Sequence, residues 1–145
     1  MPFLTDQWYN PSSGYRAAKT VRKALEVAHE QVAALINAKP EEIVFTGCGT
    51  ESNNALLTFL ASQAQVNQKI VTSEIEHSAI LRHAEYLADH YKLRVEKVGV
   101  NGDGRLSLDG FATALASGDA VMASVMWANN ETGVIQPIAE ACQLA

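Results

Sequence analysis

The sequence predicts an α/β fold in which helices flank a sheet of parallel strands. Strand-like and helix-like segments alternate along the chain, and the strand-like segments are apolar throughout rather than at every second residue. Such alternation is typical of parallel strands joined by helices, and continuous apolar runs are typical of strands covered on both faces. Ligands of these sheets bind outside the carboxyl ends of the strands. The segments that follow the strands are therefore the places to look for function.

The pattern justifies each element in chain order. Turn-forming residues dominate the first fifteen positions, and apolar residues then recur at helical spacing from Arg16 to Asn37, ahead of Pro40. A β-rich run at 43–46 predicts the first strand, and a glycine-rich turn leads from it into a second helix. Further strands are predicted at 69–73, 93–98 and 120–125, with helices at 77–91, at 108–116 and from Pro137 onward. The apolar positions assigned to the second helix are Ala55, Leu56, Phe59, Leu60 and Ala64.

Composition limits the classes of function. The chain has 145 residues, 48% of them hydrophobic, and a net charge of −5, which suit one domain with a core of its own. The acidic balance gives no reason to expect a nucleic acid partner, and no apolar run approaches the length of a membrane crossing. Cys48 and Cys142 are far apart without metal-ligand spacing, so we expect no metal site and a reduced, cytoplasmic setting.

Three segments that follow predicted strands are candidates for binding or catalysis: 47–53, 73–77 and 127–133. In the first, Gly47 and Gly49 allow a sharp turn, and the N–H groups at the start of the next helix suit an anion such as phosphate. Thr50 or Ser52 can add a hydroxyl donor. The alternative is a tight turn in which Thr50 caps the helix.

The other two segments carry a histidine and a pair of amides. His77 stands at a helix start, where it can stack on a planar ligand or move a proton; the alternative is a capping or solvent-facing residue. Asn129 and Asn130 follow the most hydrophobic strand, where they can fix a ligand hydroxyl or carbonyl or simply form a turn with Gly133. Cys48 has no base paired with it in the sequence, so we interpret it as a small buried residue.

Four segments, taken together, resemble one enzyme family. They are Asn-Pro-Ser-Ser at 10–13, IVFTGCGTESNNAL at 43–56, VTSEIEHSAIL at 71–81 and MWANNETGVIQPI at 126–138. Their order and spacing are similar to those of cysteine desulfurases, which are fold-type I pyridoxal-phosphate (PLP) enzymes of the class V aminotransferase group. The resemblance implies that residues 1–145 are a partial PLP-binding large domain, truncated at both ends.

The resemblance also implies roles for individual residues. Gly49 and Thr50 would hold the phosphate of PLP, His77 would stack on its pyridine ring and assist proton transfer, and Asn130 would bond its phenolic oxygen. Asn10 lies in the segment that resembles the entrance of the substrate pocket. The implied reaction takes sulfur from L-cysteine to a protein persulfide and leaves alanine. The implied partners are a second copy of the enzyme in a homodimer and a sulfur acceptor such as an iron–sulfur scaffold.

Departures from the family pattern keep other functions open. The family binds PLP covalently through a lysine that follows a histidine, whereas the four histidines here precede Glu30, Ser78, Ala84 and Tyr91. We therefore expect this chain alone to be inactive and to bind PLP weakly at most. The alternatives are another class V enzyme, such as a selenocysteine lyase or an aminotransferase, and a non-catalytic binding or assembly domain.

Overall fold

A computed structural model describes residues 2–145, which divide into one compact unit ending at Phe45 and another running from Thr46 to Ala145. In the first unit a short helix, α1 (Pro2–Thr5), precedes the long helix α2 (Ala18–Leu35), and a 3-10 turn follows at Pro40–Glu42. The prediction of a helix between Arg16 and Asn37 is confirmed. Asn37 adopts a left-handed conformation with φ of 54°, a backbone geometry common just beyond helix ends.

The second unit alternates helices and strands as the sequence predicts. Its elements are α3 (Gly49–Ser62), β1 (Lys69–Ser73), α4 (Ser78–Tyr91), β2 (Arg94–Val98), α5 (Leu108–Leu115), β3 (Ala120–Ser124) and α6 (Ile138–Leu144). The strands form a sheet in the order β2-β1-β3, and both pairings are parallel. The predicted α/β class with a parallel sheet flanked by helices is therefore confirmed.

The central strand β1 separates two hydrophobic clusters. All five of its residues are buried, because helices cover both faces of the sheet. Ile70 points into a cluster with α3 and α4, whose other buried members are Leu57, Ala61, Ile80, Ala84, Leu87 and Leu93. The next residue, Val71, points to the opposite face, where Val98, Leu106, Phe111, Ala114 and Ala141 surround it. Burial on both sides holds the carboxyl end of β1 in a fixed place.

The strand predicted at 43–46 does not form, so the sheet has three strands rather than four. Ile43 is extended, with φ of −94° and ψ of 127°, but no strand pairs with 43–46 in the part of the chain that the structure describes. Val44 is 81% exposed. The β-branched and aromatic residues of 43–46 favour extended backbone, but a strand also requires a partner for its N–H and C=O groups.

The two buried residues of helix α3 are not among the apolar positions assigned to it from the sequence. Leu57 and Ala61 are buried against the sheet and α4, whereas Leu56 and Phe59 are exposed. A run of adjacent apolar residues allowed either face, and packing against α4 selects the stripe with four-residue spacing. None of the helices within residues 2–145, α3 included, is both long and apolar enough to cross a membrane.

Candidate cofactor site

Two of the predicted segments meet at the carboxyl edge of the sheet. The turn between β1 and α4 and the loop that follows β3 enclose a cavity of about 370 Å³. Because β1 and β3 are parallel neighbours, their carboxyl ends lie side by side and bring together residues that are distant in sequence. The cavity is lined by Ile75, Glu76, His77, Ser78, Asn129, Asn130, Glu131 and Thr132.

Glu76 joins the two walls of this cavity. Its Oε1 atom accepts a hydrogen bond from the Ser73 hydroxyl at 3.0 Å and another from the backbone N–H of Met126, beyond β3. The residue is 8% exposed, and this burial raises the pKa of its carboxyl group, although the bonds from Met126 and Ser73 act in the opposite direction. Glu76 therefore connects the end of β1 to the segment that follows β3, the strand paired with β1.

Asn129 builds the loop on the other wall. Its Oδ1 atom accepts bonds from the N–H groups of Glu131 and Thr132, each at 2.9 Å, and from the Thr132 hydroxyl at 3.2 Å. Its Nδ2 group donates to the carbonyl of Ile75 at 3.2 Å, across the cavity wall, and contacts Met126 Sδ at 3.3 Å. The side chain thus folds its own loop and fastens that loop to the β1–α4 turn.

Asn130 keeps its amide free. The residue is exposed, lines the cavity, and makes no side-chain hydrogen bond to any residue between 2 and 145. The two asparagines therefore divide the roles that the sequence left open. Asn129 forms the turn, and the amide of Asn130 is available to a ligand.

His77 caps α4 and also lines the cavity. Its Nδ1 atom accepts a hydrogen bond from the N–H of Ala79 at 3.1 Å, so the capping alternative is realised. Because an accepting Nδ1 carries no proton, the neutral ring holds its proton on Nε2. The imidazole is exposed, and capping uses only one of its two nitrogens. His77 can consequently cap the helix and contact a ligand at the same time.

The loop at 47–53 lies outside this cavity. Helix α3 begins at Gly49, with Cys48 as its N-cap and no side chain bonded to its first N–H groups. The N–H of Gly47 donates to Glu51 Oε2 at 2.7 Å, whereas the N–H groups of Gly49 and Thr50 have no partner within the described residues. A methyl group added to Gly49 would meet nothing within 4 Å, so the backbone there is open to approach. Thr50 lies in the first helical turn, so the idea that it caps α3 is wrong. Cys48 is exposed at the N-cap position, so the prediction that it is buried is wrong as well.

Asn10 belongs to the first unit, where its side chain forms a local turn. Its Oδ1 atom accepts a hydrogen bond from the N–H of Ser12 at 2.9 Å, and its own N–H donates to the Tyr15 hydroxyl at 3.2 Å. This geometry is an Asx turn, which fits the turn-forming composition of the segment. The Nδ2 group of the exposed Asn10 side chain takes no part in it.

Sequence reasoning missed Glu76 and left open which of Asn129 and Asn130 forms the turn. An acidic residue beside a turn gives no pattern that predicts its burial, and its partner Met126 is 50 residues away in the sequence. No lysine is among the described residues that line the cavity. Residues 2–145 also contain no group of three His, Cys, Asp or Glu side chains placed to hold a metal ion.

The comparison with protein families decides the classification. A model described as aminotransferase class-V matches residues 1–145. The chain belongs to the class V aminotransferase family. This result confirms the resemblance that the four sequence segments indicate, and the cavity of this class V chain lies at the edge of the sheet where ligands are expected.

Several curated relatives of the class V chain are cysteine desulfurases. One from Azotobacter chroococcum mcd 1 is 42% identical over 145 residues, which cover 100% of this chain and 36% of that protein. Another, from Gluconacetobacter diazotrophicus, is 44% identical over 140 residues, which cover 95% of this chain and 34% of that protein. The chain therefore spans about a third of the length of the curated relatives it matches.

Solved structures agree with this classification. A NifS-like protein superposes with a TM-score of 0.89 at 32% identity, covering 99% of this chain and 39% of that one. A structure of SspA in complex with cysteine gives a TM-score of 0.88 at 28% identity, covering 99% of this chain and 41% of that one. The fold of the class V chain is thus the fold found in the corresponding part of these proteins.

Proposed function

We propose that this chain is the part of a PLP-dependent cysteine desulfurase that supplies the non-covalent contacts to the cofactor. The observation that carries the proposal is the meeting of His77 and Asn130 at one cavity beyond the carboxyl ends of β1 and β3. The family resemblance assigns these two residues to the ring of PLP, and ligands of parallel α/β sheets bind at this edge. Residues 1–145 would then be one portion of the large PLP-binding domain.

Donors that suit the separate groups of PLP are present at two places, the cavity and the start of α3, which lies outside it. The free N–H groups of Gly49 and Thr50, with the Thr50 hydroxyl and the dipole of α3, suit a phosphate group. The imidazole of His77 offers a flat face to an aromatic ring, and the amide of Asn130 donates to a phenolic oxygen. When bound, PLP supplies an electron sink for reactions of amino acids, while the protein orients and tunes it. Among residues 2–145, no lysine lines the cavity to bond PLP covalently.

His77 is the proposed catalytic residue, and its cap bond sets how it handles a proton. With Nδ1 accepting from Ala79, the neutral ring presents Nε2–H as a donor toward the ligand. For Nε2 to accept a proton from a substrate, Nδ1 must first carry the proton and release the Ala79 N–H. The cap bond therefore favours the donor form of Nε2 and couples proton transfer to the first turn of α4.

L-cysteine is the proposed substrate of the whole enzyme, and Asn10 is the proposed residue on the substrate side. The proposed products are alanine and a protein persulfide, whose sulfur passes to an acceptor such as an iron–sulfur scaffold. This proposal is supported by the names of the curated relatives and by the SspA structure, which is in complex with cysteine. We further propose a cytoplasmic homodimer, as the resemblance implies.

A non-catalytic binding or assembly domain is the second candidate for the chain taken alone. The cavity lining without a lysine favours it, because the residues here can hold PLP only through hydrogen bonds and ring contacts. Other class V reactions, those of a selenocysteine lyase or an aminotransferase, would use the same cofactor contacts. A selenocysteine lyase differs in the substrate accepted and an aminotransferase in the group transferred, so turnover distinguishes them.

The proposal is tested by titrating the purified chain with PLP, reducing with borohydride and measuring the intact mass. We expect weak, saturable binding and no covalent adduct, with binding lost in His77→Ala and Asn130→Ala. The matched control is His90→Ala, an exposed histidine of the same helix that does not line the cavity. The proposal is contradicted if His77→Ala and Asn130→Ala bind PLP as tightly as wild type. It is also contradicted by a stoichiometric PLP adduct on one lysine.

Under the proposal that this chain is part of a desulfurase, activity is measured on a protein that also contains the remaining portion of the enzyme. We expect alanine release from L-cysteine, and less of it in His77→Ala. Because this variant also loses the cap bond from Ala79, circular dichroism checks that it is folded. A protein that binds PLP but releases alanine only from selenocysteine would instead be a selenocysteine lyase, and one that transfers the amino group would be an aminotransferase.

A further inference from the structure

The turn before α4 carries two carboxylates that reach in opposite directions. Glu74 Oε1 accepts the N–H of Val100, beyond β2, at 3.1 Å. Glu76 Oε1 accepts the N–H of Met126, beyond β3. Because the strand order is β2-β1-β3, the central turn is fastened to the exit of each neighbouring strand. Only the fastening through Glu76 lies at the cavity that holds His77 and Asn130.

The two ties differ in burial. Glu76 is 8% exposed and also receives the Ser73 hydroxyl, whereas Glu74 is exposed. Burying a carboxyl group is costly unless donors compensate it, and here two donors converge on one oxygen. Removing that oxygen leaves the Met126 N–H and the Ser73 hydroxyl without their acceptor. The bond through Glu76 is therefore harder for water to replace than the bond through Glu74.

A second hydrogen bond joins the same two segments as the bond between Glu76 and Met126. Asn129 Nδ2 donates to the carbonyl of Ile75, so both bonds join the β1–α4 turn to the segment after β3. Glu76 precedes His77 directly, and Met126 lies three residues before Asn129. The separation of the His77 wall from the wall formed by 129–132 thus depends on these two contacts.

We infer that Glu76 is a positioning residue that holds His77 against the Asn129–Thr132 loop and so sets the width of the cavity. Its consequence for ligand binding rests on the proposed function. Glu76 bonds protein groups on both sides and acts on a ligand through His77 and Asn130. It positions these residues because its Oε1 atom accepts hydrogen bonds from Ser73 and Met126.

The first test needs no ligand. Amide resonances of Ala79, Glu131 and Thr132 are compared by NMR in the wild-type chain, Glu76→Ala, Glu76→Gln and Glu74→Ala. We expect Glu76→Ala to move all three resonances. Glu76→Gln should leave them close to wild type, because its amide oxygen can accept both hydrogen bonds. Glu74→Ala should move resonances near Val100 only. Unmoved resonances in Glu76→Ala, or equal movement in Glu74→Ala, would overturn the inference.

The second test uses PLP as the probe. Glu76→Ala should weaken PLP binding about tenfold, since a lost buried acceptor changes the geometry of both walls. Glu76→Gln and Glu74→Ala should stay within about twofold of wild type. Equal weakening by Glu74→Ala, or no rescue by Gln, contradicts the positioning role. If Glu76→Ala does not fold, Glu76→Asp replaces it, because the shorter carboxylate cannot hold both donors.

The two tests separate the claims. If the wild-type chain does not bind PLP, the proposed function fails, and the ligand-free resonances still decide whether Glu76 positions the turn. If PLP binds but the resonances of Glu76→Ala are unchanged, the positioning role fails while the cofactor site stands.

Discussion

Replacing Asn129 with alanine is predicted to loosen the loop that carries Asn130. The substitution removes the acceptor for the N–H groups of Glu131 and Thr132 and the donor to the Ile75 carbonyl. A net contribution of about 0.5–1.5 kcal/mol for each of these three bonds, taken near its lower end for a half-buried side chain, gives a loss of roughly 2 kcal/mol. For a chain of this size that corresponds to a decrease in melting temperature of roughly 4–8 °C.

The assay is urea and thermal unfolding of three variants followed by circular dichroism. Asn129→Asp keeps the acceptor for Glu131 and Thr132 but places an oxygen against the Ile75 carbonyl, so it separates the turn within the loop from the tie to β1–α4. Asn130→Ala is the matched control, because its exposed amide bonds no residue in the described range of 2–145. We expect stability to fall in the order wild type and Asn130→Ala, then Asn129→Asp, then Asn129→Ala. Equal stability of the two alanine variants would refute the division of roles between the asparagines.

Three further predictions concern pH and packing. Burial raises the pKa of Glu76, so the ionisation of its carboxyl group lowers the stability of the folded chain as pH rises. Glu76→Gln should therefore have a higher free energy of unfolding than wild type at pH 7. The difference should disappear below about pH 4, and urea unfolding at both pH values measures it. The Ser117 hydroxyl and the Lys69 ammonium hold the pKa of Asp119 below its usual range. The ionised carboxylate therefore stabilises the folded chain above about pH 4, and this stabilisation is lost on acidification. Asp119→Asn should make the melting temperature depend less on pH in that acid range. Leu87→Ala, in the buried cluster between the sheet and α4, should cost about 2–5 kcal/mol in urea unfolding, and a loss under about 1 kcal/mol would contradict the packing described.

The elements with strong periodicity could be predicted from the sequence. β1 forms over the predicted residues, and α4 begins one residue later than predicted because His77 caps it. The prediction of a strand at 43–46 is wrong because composition reports a preference for extended backbone, whereas a strand requires a paired neighbour. Which side of α3 is buried is likewise decided by α4, which no local pattern of α3 records.

The candidate site was predictable to the level of segments. The rule that ligands bind beyond the carboxyl ends of parallel strands selects the segments 47–53, 73–77 and 127–133. The structure brings the last two to one cavity and leaves 47–53 outside it, because no strand forms before that loop. The individual roles of Asn129 and Asn130 depend on which amide bonds Ile75, a contact made across more than fifty residues of chain. Glu76 could not be identified from the sequence for the same reason. Its burial and the hydrogen bond from Met126 that offsets the cost of burial arise only in the folded chain.

A PLP titration of the ¹⁵N-labelled chain, followed residue by residue by NMR, tests the proposed cofactor site most directly. We expect saturable shifts at Gly49 and Thr50, at the start of α3, together with His77 and Asn130 at the cavity, and no covalent product after borohydride. The Glu76→Gln chain should give the same map. Shifts confined to the separate cavity lined by residues of 100–109, or none at any PLP concentration, would contradict the proposed cofactor site.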